Sequence, residues 1–189
     1  MNLELEIEKA ISVLKNGGTI LYPTDTIWGI GCDATNESAV KKVFEIKKRT
    51  DTKSMLVLLD SENKLQTYVK EVPEIAWELI EVADSPLTII YPNAKNLASN
   101  IISDDKSIGI RIVKDLFCSK LIAKYRKPIV SSSANISGKN SPDSFPEIDE
   151  KIKSSVDYIV NYKQNELKKN RASAILKVGV NSKIEIIRK

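Results

Sequence analysis

Leu3, Ile7, Ala10, Ile11 and Leu14 recur at helical spacing, and Gly17-Gly18 behind them supply the left-handed stop that a helix C-terminus favours. The pattern predicts a helix from about residue 3 to 16. Thr19 to Tyr22 reads as a short buried strand stopped by Pro23, which cannot donate to a ladder, so Pro23-Thr24-Asp25-Thr26 is a loop at a strand end. Asn36 can cap a second helix with Val40, Val43, Phe44 and Lys47 on one side and the cations Lys47, Lys48 and Arg49 at its C-terminal end. Met55 to Leu59 is an apolar run of strand length, Asp60 or Ser61 starts a helix to about Val69, and Pro73 opens another through Val82.

Strands are expected at 86–91, 107–112 and 128–132, separated by helical patterns such as 115–125, which Asp115 can cap. Residues 133–145 are rich in Ser, Asn, Gly and Pro. A helix near 146–153 and strands near 156–160, 172–178 and 184–188 complete the chain, with a polar loop over 161–171. Strands and helices interleave, which predicts an α/β layer fold. The consecutive short strands at the end read as antiparallel additions, giving a mixed sheet.

A chain of 189 residues with 42% apolar side chains can bury roughly 70% of the surface its unfolded form exposes, so one domain over 1–189 is the expectation. No stretch approaches the roughly 20 apolar residues of a membrane span, and a cytoplasmic location is expected. Cys32 and Cys118 stand apart with no C-x-x-C and read as small core hydrophobes. Histidine is absent, which removes Ser-His-Asp and Cys-His catalysis and imidazole proton transfer. Any chemistry must use Lys, Arg, hydroxyls, amides or the substrate itself. Charge is uneven, −4 over residues 1–113 and +8 over 114–189. A basic second half facing a cleft would concentrate an anionic ligand such as ATP or RNA, although the same charges also serve as a solubilising surface.

Four polar segments fall at strand or helix ends: Pro23 to Thr26, Lys47 to Arg49, Ser131 to Asn135, and Arg171 to Ala174. Ligands of α/β folds bind at such ends. Thr24 and Asp25 also fit a simple turn, and the three cations also fit a helix dipole. The serine run would end a buried strand on hydroxyls that need partners, which favours a polar ligand. Gly29-Ile30-Gly31-Cys32-Asp33-Ala34 matches G-x-G-x-x-A, but these glycines do not join a strand to a helix N-terminus, because the next helix starts only at Asn36. No G-x-x-x-x-G-K-[ST] occurs, so any ATP is not held by a P-loop.

The run Gly17-Gly18-Thr19-Ile20-Leu21-Tyr22-Pro23-Thr24-Asp25-Thr26-Ile27-Trp28-Gly29 resembles the opening of the YrdC-like family of threonylcarbamoyl-AMP synthases. Its K-x-R element follows as Lys47-Lys48-Arg49, its P-L-T strand as Pro86-Leu87-Thr88, its G-x-R strand as Gly109-Ile110-Arg111 and its S-A-N-x-S-G loop as Ser133 to Gly138, with Ser141-Pro142 after it. The resemblance implies a single-domain, twisted, open mixed sheet flanked by helices, with a basic concave face. It implies an enzyme that joins L-threonine, bicarbonate or CO2, and ATP into threonylcarbamoyl-AMP, releasing pyrophosphate, for tRNA modification.

On the matching positions the resemblance implies Lys47 and Arg49 as catalytic. It implies Arg49, Lys53, Thr88, Ser133, Asn135, Ser141 and Arg188 at ATP, and Thr26, Arg111, Ser131 and Ser173 at threonine. Mg2+ is expected to arrive on the triphosphate, since no carboxylate cluster reads as a cage. A downstream threonylcarbamoyl transferase is implied as a partner, and direct tRNA binding is a further expectation. The chain departs from the pattern at Thr50, Leu58, Asp84-Ser85 and Ala174. Two other readings are an RNA-binding module of the same fold without this catalysis, and a paralogue that adenylylates a different acceptor.

Overall fold

The protein is described by a computed structural model over residues 2–49, 55–166, 171–179, 181 and 183–189. Helix α1 (Leu3–Lys15) is capped by Asn2, whose side chain accepts from the Glu4 and Leu5 amides, and it buries Ile7, Ala10, Ile11 and Leu14 as the spacing predicts. Strands β1 (Ile20–Tyr22) and β2 (Gly29–Gly31) follow, then α2 (Glu37–Ile46), capped by Asn36, and β3 (Leu56–Leu59). Next come α3 (Leu65–Tyr68), α4 (Glu74–Val82), β4 (Leu87–Tyr91), β5 (Ile108–Ile112) and α5 (Leu116–Tyr125), the last capped by Asp115. The chain ends with β6 (Ile129–Ser133), α6 (Glu150–Lys153), β7 (Tyr158–Ile159), β8 (Ala174–Val178) and β9 (Ile184–Arg188).

The strands form one sheet in the order β7-β1-β2-β6-β3-β5-β4-β8-β9. It is mixed: β3 runs parallel to β5, while β2, β3 and β6 pair antiparallel. Of the late strands only β9 is an antiparallel addition, since β7 lies parallel to β1 and β8 parallel to β4. Long connections bring those strands back beside early ones, which short consecutive strands alone do not reveal.

Three further local differences have identifiable causes. The expected helix over 60–69 is split into a 3-10 turn at Glu62–Lys64 and the single turn α3. The one near 146–153 is likewise broken, because Pro146 sits in a short 3-10 turn and Asp149 caps α6 afresh. Strand β2 was not expected at all, since Gly-Ile-Gly offers one side chain for a strand pattern to show. Its glycines are steric: a Cβ at Gly31 would lie 2.5 Å from the Val130 carbonyl and 2.6 Å from the Tyr22 ring. These contacts make Gly29-Ile30-Gly31 a central strand and remove the dinucleotide reading of the same residues.

The two faces of the sheet bury separate cores. Helices α1 and α5 cover one half of one face, where Ile7, Leu14, Ile20, Tyr22, Leu58, Phe117, Leu121 and Ile129 pack together. The opposite face is covered by α2, α3 and α4 over Leu21, Ile30, Val40, Val43, Val57, Leu59, Ile89 and Ile110. Both cysteines are free and buried, as their isolation suggested. Leu58, Arg111 and Thr88 are direct cross-strand partners, so they share the face that α1 and α5 cover elsewhere. Among the described residues no helix is long and apolar enough to cross a membrane.

Candidate active site

On that shared face, a cavity of about 240 Å³ opens beyond the α1 and α5 layer. Its wall takes Thr26 to Gly29 from the loop and start of β2, Arg49 from beyond α2, Arg111 from β5, and Ser131, Ser132 and Ser133 from β6. Ser141, Ala172, Ser173 and Arg188 close it. A small residue helps create the space: Gly29 lies on the wall, and a Cβ there would come within 3.2 Å of Ser131 Oγ. Three arginines and several hydroxyls line this wall, with no carboxylate among its described lining residues. Such a lining favours an anion.

The loop after β1 reconciles two readings of Pro23 to Thr26. Thr24 Oγ1 accepts from the Thr26 amide at 3.0 Å, donates to the Ile27 carbonyl at 2.8 Å and meets Thr26 Oγ1 at 2.9 Å. Thr24 therefore builds the turn, while Thr26, buried, is presented to the cavity.

The K-x-R element is divided by its middle residue. Lys48 adopts φ 48°, a left-handed conformation usually left to glycine, and stops α2 in a Schellman arrangement. The Arg49 amide donates to the Phe44 carbonyl and the Lys48 amide to the Glu45 carbonyl, each at 3.0 Å. This reversal turns Arg49 into the cavity and leaves Lys47 behind it. Lys47 is buried, and its ammonium donates to the carbonyls of Ser133 and Asn135. Lys47 therefore braces the Ser133 to Asn135 loop and is not on the cavity wall. Burial, and then the neighbouring Arg49 charge, bring its pKa down to about 8.

Two other expected ATP contacts also move. Thr88 is fully buried and its hydroxyl pairs with Ser173 Oγ at 2.7 Å, so it orients Ser173 from behind and is not on the cavity wall. Asn135 turns Nδ2 to the carbonyls of Ile136 and Lys139 and leaves Oδ1 buried without a hydrogen bond. It lines a neighbouring hollow of about 390 Å³ that meets the first at Ser141. Arg188 donates from Nε and Nη2 to the Ser173 carbonyl at 2.9 and 2.8 Å, which fixes its guanidinium at the rim. Burial and then Arg111 lower the Arg188 pKa, a sign that these cations crowd one another.

Of the expected residues, Thr26, Arg49, Arg111, Ser131, Ser133, Ser141, Ser173 and Arg188 thus share one cavity, and Lys53 lies outside the described residues. Sequence reasoning missed Trp28, Leu56 and Ile175 on the wall, and Asp25 behind it. Trp28 packs against Phe145 with ring centroids 4.8 Å apart, and no local pattern signals that contact across more than a hundred residues. Among the described residues no group of three or more His, Cys, Asp or Glu side chains could hold a metal ion.

The Sua5/YciO/YrdC family model, described as "Telomere recombination", matches residues 12–189. The threonylcarbamoyl-AMP synthase of Pseudoalteromonas translucida is 29% identical over 187 residues, covering 97% of this chain and 98% of that protein. That of Psychromonas ingrahamii is 30% identical over 153 residues, covering 79% and 80%. The crystal structure of P. abyssi Sua5 complexed with L-threonine superposes with a TM-score of 0.82 at 28% identity and covers 93% of this chain, which spans only 51% of that one. With the fold and the motif order in agreement with these matches, the chain belongs to the Sua5/YciO/YrdC family.

Proposed function

We propose that the chain is a nucleotidyltransferase that makes threonylcarbamoyl-AMP from L-threonine, bicarbonate or CO2, and ATP, releasing pyrophosphate. The observation that carries the reading is the meeting of Arg49, Arg111 and Arg188 with Thr26, Ser131, Ser133 and Ser173 in one cavity with no carboxylate among its described lining residues. The full-length relative of Pseudoalteromonas translucida bears this activity in its name, and P. abyssi Sua5 is complexed with L-threonine.

Threonine would lie on the β5 and β6 side. Arg111 offers a planar fork for its carboxylate, and Thr26, Ser131 and Ser173 offer hydroxyl partners, a set that disfavours analogues lacking the side-chain hydroxyl. The triphosphate would lie toward Arg49, Ser133, Ser141 and Arg188, with Lys53 as a further expected contact. The neighbouring hollow beyond Ser141 extends the space available to the nucleoside.

The amine of threonine attacks CO2, forming the N–C bond of a carbamate and releasing a proton to solvent; with bicarbonate as the source, the same N–C bond forms while a C–O bond breaks and water leaves. A carbamate oxygen then attacks the α-phosphorus of ATP, and the bond to the β-phosphate oxygen breaks as pyrophosphate leaves. No imidazole is required. The chain's own contribution is to hold two anions together and to neutralise charge growing on phosphate oxygens with fixed cations and hydroxyl donors. Mg2+ would be carried by the phosphates. The product's mixed anhydride suits transfer to tRNA by a partner transferase.

Mass spectrometry of the mixture of protein, ATP, L-threonine and bicarbonate tests the reading. The carbamoyl-adenylate and pyrophosphate should appear together and depend on all three substrates. Product with L-serine in preference to threonine would assign a different acceptor, and no ATP consumption at all would overturn the enzymatic reading.

A further inference from the structure

Behind the arginine wall, Asp25 Oδ1 stands 3.0 Å from Arg111 Nη2, with side-chain exposures of 12% and 3%. Neither Asp25 Oδ1 nor Nε or Nη2 of Arg111 has a hydrogen-bond partner among the described residues, so charge rather than an aligned hydrogen bond joins them. Asp25 does not line the 240 Å³ cavity. It borders a separate, mostly apolar cavity of about 170 Å³ between α4 and strands β4 and β5. The two groups therefore approach Arg111 from different sides: Asp25 from behind, and any ligand from the front.

The surrounding charges sharpen the point. Asp115, which caps α5, is the other carboxylate acting on Asp25, and the Arg111 charge in turn acts on Arg188. Among the described residues Asp25 is the one carboxylate within ion-pair distance of the buried Arg111 guanidinium. A buried guanidinium with no counter-ion is driven to move or to admit water, and a planar fork that moves loses its register with a carboxylate. We infer that Asp25 is a positioning residue: it holds the rear edge of Arg111 so that the guanidinium presents a fixed edge to the carboxylate of the amino-acid substrate. The inference rests on the proposed amino-acid site.

The experiment compares L-threonine with L-threoninol, which keeps the amine and both carbon substituents but lacks the carboxylate. Asp25→Asn should raise KM for threonine at least tenfold, with KM for ATP changed less than twofold and kcat/KM for threoninol unchanged. Calorimetric binding of threonine without ATP should weaken in parallel. Asp25→Glu, which keeps the charge but shifts it by one methylene, is measured in the same way alongside a thermal melt, so that a folded variant is in hand. Equal losses on threonine and threoninol in a folded variant, unchanged threonine binding, or tighter threonine binding would each overturn the positioning role. A wild-type protein that neither binds nor turns over threonine would instead remove the proposed function itself.

Discussion

Lys47 and Arg49 are two residues apart and serve opposite sides of one loop: the Lys47 ammonium ends on the carbonyls of Ser133 and Asn135, whereas Arg49 lines the cavity. The left-handed Lys48 between them produces the separation. A K-x-R spacing is thus a way of ending a helix so that one cation braces a ligand loop and the next faces the ligand.

The two cations should therefore fail differently. Arg49→Ala is expected to lower turnover on the order of a hundredfold, as for a lost charge-stabilising donor. Lys47→Ala should lower turnover as well and also cost about 1–3 kcal/mol of stability, because two buried carbonyls lose their donor. Steady-state pyrophosphate release and urea melts on both variants check this, and an unchanged melt for Lys47→Ala would contradict the bracing role.

The Lys47 proton gives a pH signature. Its folded pKa of about 8 lies below the ordinary 10.5. Between these two values the unfolded chain holds more protons than the folded one, so this group makes stability rise as pH increases through that window. Activity that needs the ammonium should instead fall above about pH 8. A pH–rate profile set against thermal melts at each pH tests the opposition, which Lys47→Arg should abolish by keeping its charge.

Lys48→Gly should stabilise the fold by about 0.5–1 kcal/mol, since an exposed L-residue at φ 48° gives way to one that adopts this conformation freely. The measurement is the shift of the urea midpoint, and turnover should stay near the parent value because the Schellman arrangement is retained.

Thr88→Val removes the hydroxyl partner of Ser173 while preserving shape. Freed to rotate, Ser173 should lose about 1 kcal/mol of substrate interaction, appearing as a several-fold rise in KM for threonine with little change for ATP.

Gly31→Ala should be among the most damaging small substitutions. The new methyl would meet the Val130 carbonyl at 2.5 Å and the Tyr22 ring at 2.6 Å, neither of which can retreat from the centre of the sheet. A loss of about 3 kcal/mol is expected, in the range for overpacking a tight core, read as a lowered melting temperature. A melt within a degree of the parent would refute the close packing at β2.

Sequence by itself determined the elements whose signals are local. The apolar stripe of α1, the Asn36 and Asp115 caps, and the strands at β3, β4, β5 and β6 need only neighbours within a few residues to declare themselves. The absence of histidine and the ordered motifs also bounded the chemistry before any coordinates. Tertiary structure alone decided that β7 and β8 return parallel to β1 and β4, that Gly29-Ile30-Gly31 forms a strand, and that Thr88 stands behind Ser173. It likewise decided that Asp25 meets Arg111, 86 residues later in the chain, and that Lys47 reaches a loop 86 and 88 residues away. Periodicity records which side of an element is buried. It does not record which distant element supplies the other half of a contact, and in this protein the site is made of such halves.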